Sequence, residues 1–242
     1  MKKLITSCLA FIIILSYSMK AARPTEINNS RPAKQQVRDF HGVASGGSID
    51  VVIRLGNSES IRFEGDQEAI SELVTEKEDG VLVIRPSSKK WWDWEKRFKN
   101  SRVTAYITAK KLDKLMMAGS GNMTVNGTLS GPSLAAVLSG SGKIQVTANI
   151  SGKMESAISG SGSVNLQGKA NYAEVAISGS GSLNGRSFQV NDLQAAISGS
   201  GNISMSVGKR LDAAISGSGN IRYAGSPSVQ KRVAGSGNVT RL

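Results

Sequence analysis

The triplet Gly-Ser-Gly begins at Gly119, Gly140, Gly160, Gly179, Gly199, Gly217 and Gly235, returning after 21, 20, 19, 20, 18 and 18 residues. A flexible linker has no reason to keep a period, whereas self-similarity at about 20 residues marks a stacked repeat. Two positions before the first glycine stand Met117, Leu138, Ile158, Ile177, Ile197, Ile215 and Val233, all apolar, and this column is expected to point inward. Four before it stand Leu115, Ala136, Ser156, Val175, Ala195, Ala213 and Lys231. The columns between carry Glu155, Glu174, Gln194 and Asp212, then Ala157, Ala176, Ala196 and Ala214. This is the period-two alternation of a strand with one buried face. After each triplet a polar residue precedes Met123, Ile144, Val164, Leu183, Ile203, Ile221 or Val239, so a second short strand follows each corner.

Units this short cannot bury a face alone, and stacking them makes a continuous core. The expected fold is therefore all-β, a β-helix or β-solenoid with about 20 residues per coil. The leading glycines, and Gly121, Gly142, Gly162, Gly181, Gly201, Gly219 and Gly237 that close the triplets, are structural corners, where the missing Cβ admits positive φ and lets coils approach. A phosphate cradle is excluded, because strand-type residues follow the triplet where a nucleotide loop needs a helix, and no Gly-Lys-Ser/Thr ending occurs. A serine-nucleophile elbow is excluded likewise, since Gly-x-Ser-x-Gly is absent.

Residues 40–86 alternate in shorter runs, with Gly46-Gly47, Gly56-Asn57 and Asp79-Gly80 as turn candidates, and residues 67–74 suit a two-turn helix or a loop. At the start, Lys2 and Lys3, the apolar run Leu4 to Leu15 and the small residues Ser16 and Ser18 read as a secretory signal, residues 1–18. Residues 19–37, rich in Arg, Pro, Asn and Gln, read as an extended tether. The only cysteine, Cys8, lies in the signal, so disulfides, thiolate catalysis and cysteine-bound metals are not expected in an exported chain.

The passages "FHGVASGGSIDVVIRLG", "EDGVLVIRP", "VTAYITAKKLDKLMMAGSGNM" and the recurring "AISGSGNI" resemble the secreted adhesins of the head GIN domain family of Bacteroidetes. The resemblance covers residues 38–242, with a β portion at 38–114 and the repeat solenoid at 115–242. It implies an all-β, exported protein of a Gram-negative envelope, and it brings no catalytic residues with it.

The formal net charge is +12, which favours acidic partners. Residues 85–114 hold 10 basic and 3 acidic side chains, so the positive density peaks there. Within that segment "KKWWDWEKRFK" gathers Trp91, Trp92 and Trp94 with Lys89, Lys90, Lys96, Arg97 and Lys99. Indole faces stack on sugars or seat in membrane interfaces while the cations hold acidic groups, so these residues are the candidate ligand site. The competing account makes the tryptophans a cap over the open end of the solenoid. Nucleic acid is not expected as a partner of an exported chain; acidic polysaccharide, envelope lipid or another surface protein is.

Two further surfaces stand out in the repeat. Glu155 and Glu174 fall in one outward column of adjacent coils, about 5 Å apart by strand spacing, which is the best carboxylate pair for glycoside chemistry. The alanine column with Ser139, Ser159, Ser178, Ser198 and Ser216 makes a smooth ladder against which a polymer could lie. His41, the sole histidine, has no cysteine or second histidine to complete a zinc site and is given no role. The expectation is an exported, non-enzymatic, adhesin-like or structural binding module of the envelope, in the periplasm, on the outer membrane or outside the cell, without cofactor or metal. The alternatives are a polysaccharide-active β-helix enzyme and a periplasmic protein that binds lipid or lipopolysaccharide.

Overall fold

The computed structural model describes residues 37–87, 91–98 and 101–242. The signal segment 1–18 and the tether 19–37 lie outside the described residues, apart from Val37, which packs on the core. In chain order the elements are β1 (Gly42–Gly46), β2 (Asp50–Leu55), β3 (Ser60–Gly65), α1 (Gln67–Ser71), β4 (Leu73–Glu78), β5 (Val81–Pro86), α2 (Trp91–Arg97) and β6 (Val103–Ala109). Then follow β7 (Lys114–Gly119), β8 (Asn122–Gly140), β9 (Lys143–Gly160), β10 (Ser163–Gly179), β11 (Ser182–Gly199), β12 (Asn202–Gly217), β13 (Asn220–Ala224), β14 (Ser228–Ala234) and β15 (Asn238–Arg241).

The described chain is a β-solenoid with about 20 residues per coil, as the repeat implies. From β7 to β12 every neighbour is parallel and each leading glycine lies opposite the next, Gly119, Gly140, Gly160, Gly179, Gly199 and Gly217 in turn. One expected detail differs. A coil is not two short strands around a turn but a continuous ladder of 16 to 19 residues, broken only at Gly-Ser-Gly. The remaining bends are absorbed by bulges, so the hydrogen-bonded ladder runs through them.

The two glycines of a corner are required for different reasons. Gly160 has φ +114°, a conformation that costs an L side chain, and a Cβ there would stand 2.6 Å from the carbonyl oxygen of Gly140. Gly162 has ordinary φ, but its Cβ would meet Gly142 O at 2.5 Å and the inward Leu138 side chain at 2.6 Å. The space so freed is used by hydrogen bonds, since Ser161 N and Gly162 N both donate to Gly140 O, at 3.1 and 2.9 Å.

The inward columns are buried as expected, Leu138, Ile158, Ile177, Ile197 and Ile215 among them, each burial being worth about 1.5–3 kcal/mol. Val233 departs from its column and is 41% exposed. It lies on β14, which pairs only with β12, so its column has a neighbour on one side alone.

The solenoid continues into the first half of the chain. β1 and β2 lie parallel under β7 and β8 with Gly46 opposite Ala118, so Gly47-Ser48-Ile49 occupies the corner below Gly119-Ser120-Gly121. Below that, β5 and β6 pair parallel with β1 and β2. Their corner is taken by residues 87–102, which contain α2. The last layer, β3 and β4, reverses direction and pairs antiparallel with β6 and β5, with α1 at the corner. The helix expected over 67–74 is shorter than that run: it starts at the Asp66 cap and stops at Ser71, because Leu73 and Val74 are drawn into pairing with Pro86 and Arg85.

Candidate functional site

At the layered end the corner insertion is fixed by one aromatic pair. Trp94 and Phe98 are 3% and 4% exposed, with ring centroids 5.5 Å apart, and Trp94 lies over Gly47, where a Cβ would come 3.5 Å from its ring. Among the described residues the buried Trp94 indole N–H has no partner. Arg97 makes ion pairs with Glu68 and, at 2.6 Å, with Glu72 of the α1 end, and its guanidinium lies 5.1 Å from the Phe98 ring centre. Asp66 ties both helical segments together, accepting from Glu68 N at 2.9 Å, Ala69 N at 3.1 Å and Ser101 Oγ at 2.6 Å. The Ser101 hydrogen bond, helped by the Ala69 amide, holds its carboxyl below the usual aspartate value.

Of the residues singled out in the sequence, Trp91 and Trp92 begin α2, Trp94 turns into the core, and Lys96 and Arg97 are exposed on the last turn, where cations suit the helix C-terminus. Lys89, Lys90 and Lys99 lie outside the described residues. His41 Nδ1 donates to Asp113 Oδ1 at 2.8 Å, and the ring covers the β4–β5 turn, close enough to Gly80 to exclude a Cβ there. Among the described residues no three of His, Cys, Asp and Glu gather as metal ligands.

On the outer face of β8 to β12 the carboxylate column forms as counted: Glu155 lies opposite Glu174, then Gln194, then Asp212. Lys153 makes ion pairs with both glutamates, at 2.9 Å to Glu174. Burial works against its charge, but hydrogen bonds and the fields of the two carboxylates outweigh this and raise its pKa above the ordinary lysine value.

Further along the same face an open groove of about 380 Å³ crosses β10 to β14, lined by Tyr172, Asp192, Gln194, Arg210, Asp212 and Gln230 among others. Tyr172 OH donates to Gln194 Oε1 at 2.7 Å, Arg210 Nε to Asp192 at 2.9 Å, and Arg232 to Asp212 at 2.7 Å. Desolvation, reinforced by the field of Glu174, raises the Tyr172 pKa, so its hydroxyl is a neutral donor. The sequence places Gln194 and Asp212 in the outward column with Glu155 and Glu174, but it does not single out Tyr172, Asp192 and Arg210 as a second column beside it. Their signal is the column seven positions before each leading glycine from Gly140 onward, Ser133, Lys153, Tyr172, Asp192, Arg210 and Ser228, whose mixed chemistry conceals that it is a column.

The fold matches solved structures over most of its length. A "putative adhesin" from Bacteroides fragilis superposes with TM-score 0.75 at 21% identity, covering 86% of this chain and 94% of its own. A "putative adhesin" from Parabacteroides merdae gives 0.59 at 23% identity over 86% and 93%. A "putative lipid binding protein" from Parabacteroides distasonis gives 0.61 at 25% over 84% and 93%. No curated protein matches the chain. The family model described as "Putative auto-transporter adhesin, head GIN domain" matches residues 39–227, and with that span covered the chain belongs to the head GIN domain family.

Proposed function

We propose that this protein is an exported, non-enzymatic binding module that acts at the cell envelope, in the periplasm, on the outer membrane or outside it, by holding an acidic polysaccharide. The observation that carries the reading is the corner of the β5–β6 coil. Where later coils turn in three residues, this one inserts residues 87–102, the most basic and aromatic stretch of the chain, and insertions into a solenoid commonly build its binding face. Trp94 and Phe98 anchor the insertion, and in this reading Lys89, Lys90, Trp91, Trp92, Lys96, Arg97 and Lys99 meet the ligand. Trp94 serves them as anchor.

The enzyme alternative has its best carboxylates in Glu155 and Glu174, and the Lys153 ammonium bridges them, engaging one oxygen of each. The lipid alternative is favoured by the same aromatic and basic composition, which suits an anionic headgroup surface, and by the name of the Parabacteroides distasonis structure.

The test is binding of the purified chain to immobilised acidic and neutral polysaccharides and to phosphatidylglycerol and phosphatidylcholine vesicles. It is run beside a Trp91→Ala/Trp92→Ala/Lys96→Ala variant that keeps Trp94. Salt-sensitive binding to acidic polysaccharide, lost in the variant, is expected. Binding that survives the variant refutes the site, binding to phosphatidylglycerol alone supports the lipid reading, and turnover of any polysaccharide refutes the non-enzymatic one.

A further inference from the structure

We infer that the groove across β10 to β14 is a second binding site, which takes a sugar ring of a neutral glycan and is independent of the basic insertion. The groove begins about 24 Å from β5 along the stack, five strand steps away at β10, and the two sites share no residues. Its volume of about 380 Å³ leaves room for a sugar ring lying in an open groove, partly exposed to solvent.

The chemistry of the lining selects the ligand class. Each charge is already matched: Asp192 by Arg210 and Asp212 by Arg232. An incoming ion therefore meets no uncompensated field of opposite sign, which disfavours a free anion or cation. Pairing leaves lone pairs on both carboxylates and further N–H groups on Arg210, and the amides of Gln194 and Gln230 add planar donors and acceptors. Such groups, arrayed at the coil spacing, suit neighbouring hydroxyls, which donate and accept at once. The ring of Tyr172 is half-buried, with its hydroxyl engaged by Gln194 and Lys153 Nζ 5.9 Å from its centre, and the rest of its surface is where the C–H groups of a sugar would pack.

The backbone also departs from regularity here. The ladder slips between Ala170 and Tyr172 where β10 meets β9, and between Val190 and Asp192 where β11 meets β12. A bulge re-aims the side chains beside it, and Tyr172 and Asp192 both line the groove.

The experiment titrates the full purified chain with cellohexaose, xylohexaose, mannohexaose and maltohexaose, read by calorimetry and by chemical-shift changes. The variants Gln194→Ala, Gln230→Ala and Lys96→Ala are run in parallel, each checked for an unchanged melting curve. At least one oligomer is expected to bind with Kd below about 1 mM. The affinity should fall about tenfold in Gln194→Ala or Gln230→Ala, stay unchanged in Lys96→Ala, and persist in high salt. Tyr172→Phe, which keeps the ring, retains binding, and Tyr172→Ala loses it. The proposal is overturned if none of the oligomers binds at about 10 mM, if binding ignores both glutamine variants, or if it is lost in Lys96→Ala or by salt. Failure of polysaccharide binding at the basic insertion leaves these outcomes unaffected, so the two sites are judged separately.

Discussion

Gly160→Ala is the sharpest perturbation of the stack, because its cost can be worked from the corner itself. The new Cβ would lie 2.6 Å from Gly140 O, about 0.7 Å inside an ordinary C···O contact. At φ +114° the residue also carries backbone strain of about 1–3 kcal/mol. Relieving the contact pulls Gly140 O from two amides it serves, Ser161 N and Gly162 N, each worth about 1 kcal/mol. A reduced unfolded-state entropy returns about 0.4–1 kcal/mol. The net loss is about 2–4.6 kcal/mol, a large part of the stability of an ordinary domain. Gly235→Ala meets the same geometry, with φ +122° and a Cβ 2.4 Å from Gly217 O, but just past the end of β14, a strand of mostly exposed residues. There the strain is relieved by fraying, and the main transition should shift by less than about 1 kcal/mol. Urea unfolding followed by circular dichroism compares the two with Ser161→Ala, an exposed control expected within about 0.5 kcal/mol. Equal losses at Gly160 and Gly235, or a loss at Ser161 as large as at Gly160, would refute the reasoning.

Ser156 stands in an inward column with its hydroxyl buried and unpartnered, so Ser156→Ala should raise stability by about 1 kcal/mol, read as a shift of the urea midpoint. Trp94→Ala should cost about 3–5 kcal/mol, as for a buried aromatic; a change under about 0.5 kcal/mol would show that the residue is a surface contact and not an anchor. Asp66 has a folded pKa below its unfolded value, so its contribution is present above about pH 4 and is lost as pH falls through the lower, folded value. Thermal melts between pH 5 and 2 should therefore show a steeper acid decline in the parent than in Asp66→Asn, and parallel curves would refute the assignment.

The solenoid was legible because every coil repeats one physical decision. Seven glycine corners and two inward columns in phase leave no other fold that buries them. The earlier corner, Gly47-Ser48-Ile49, was hidden because isoleucine replaces the second glycine. Ile49 is tolerated since the coil below leaves the corner at Ser87 and returns near Val103, so no glycine backbone lies under it as Gly142 lies under Gly162. The inward turn of Trp94 could not be read from "KKWWDWEKRFK", whose tryptophans are alike in composition and differ only in helical phase. The groove was less legible still: Tyr172 and Arg210 share a column only after the corner is used as the origin for counting.

That origin has a consequence for how such a chain can change. Steps of 21, 20, 19, 20, 18 and 18 residues all return the leading glycine to the same stacked position, and the surplus is discharged at slips well away from it, such as Gly131/Ser133 and Gly185/Gln189. The corner works as a reset: a length error made in one coil is cancelled before the next begins. Insertions or deletions on the bulged side therefore stay local and leave later coils in phase, and the outer surface is free to vary while the stack keeps count.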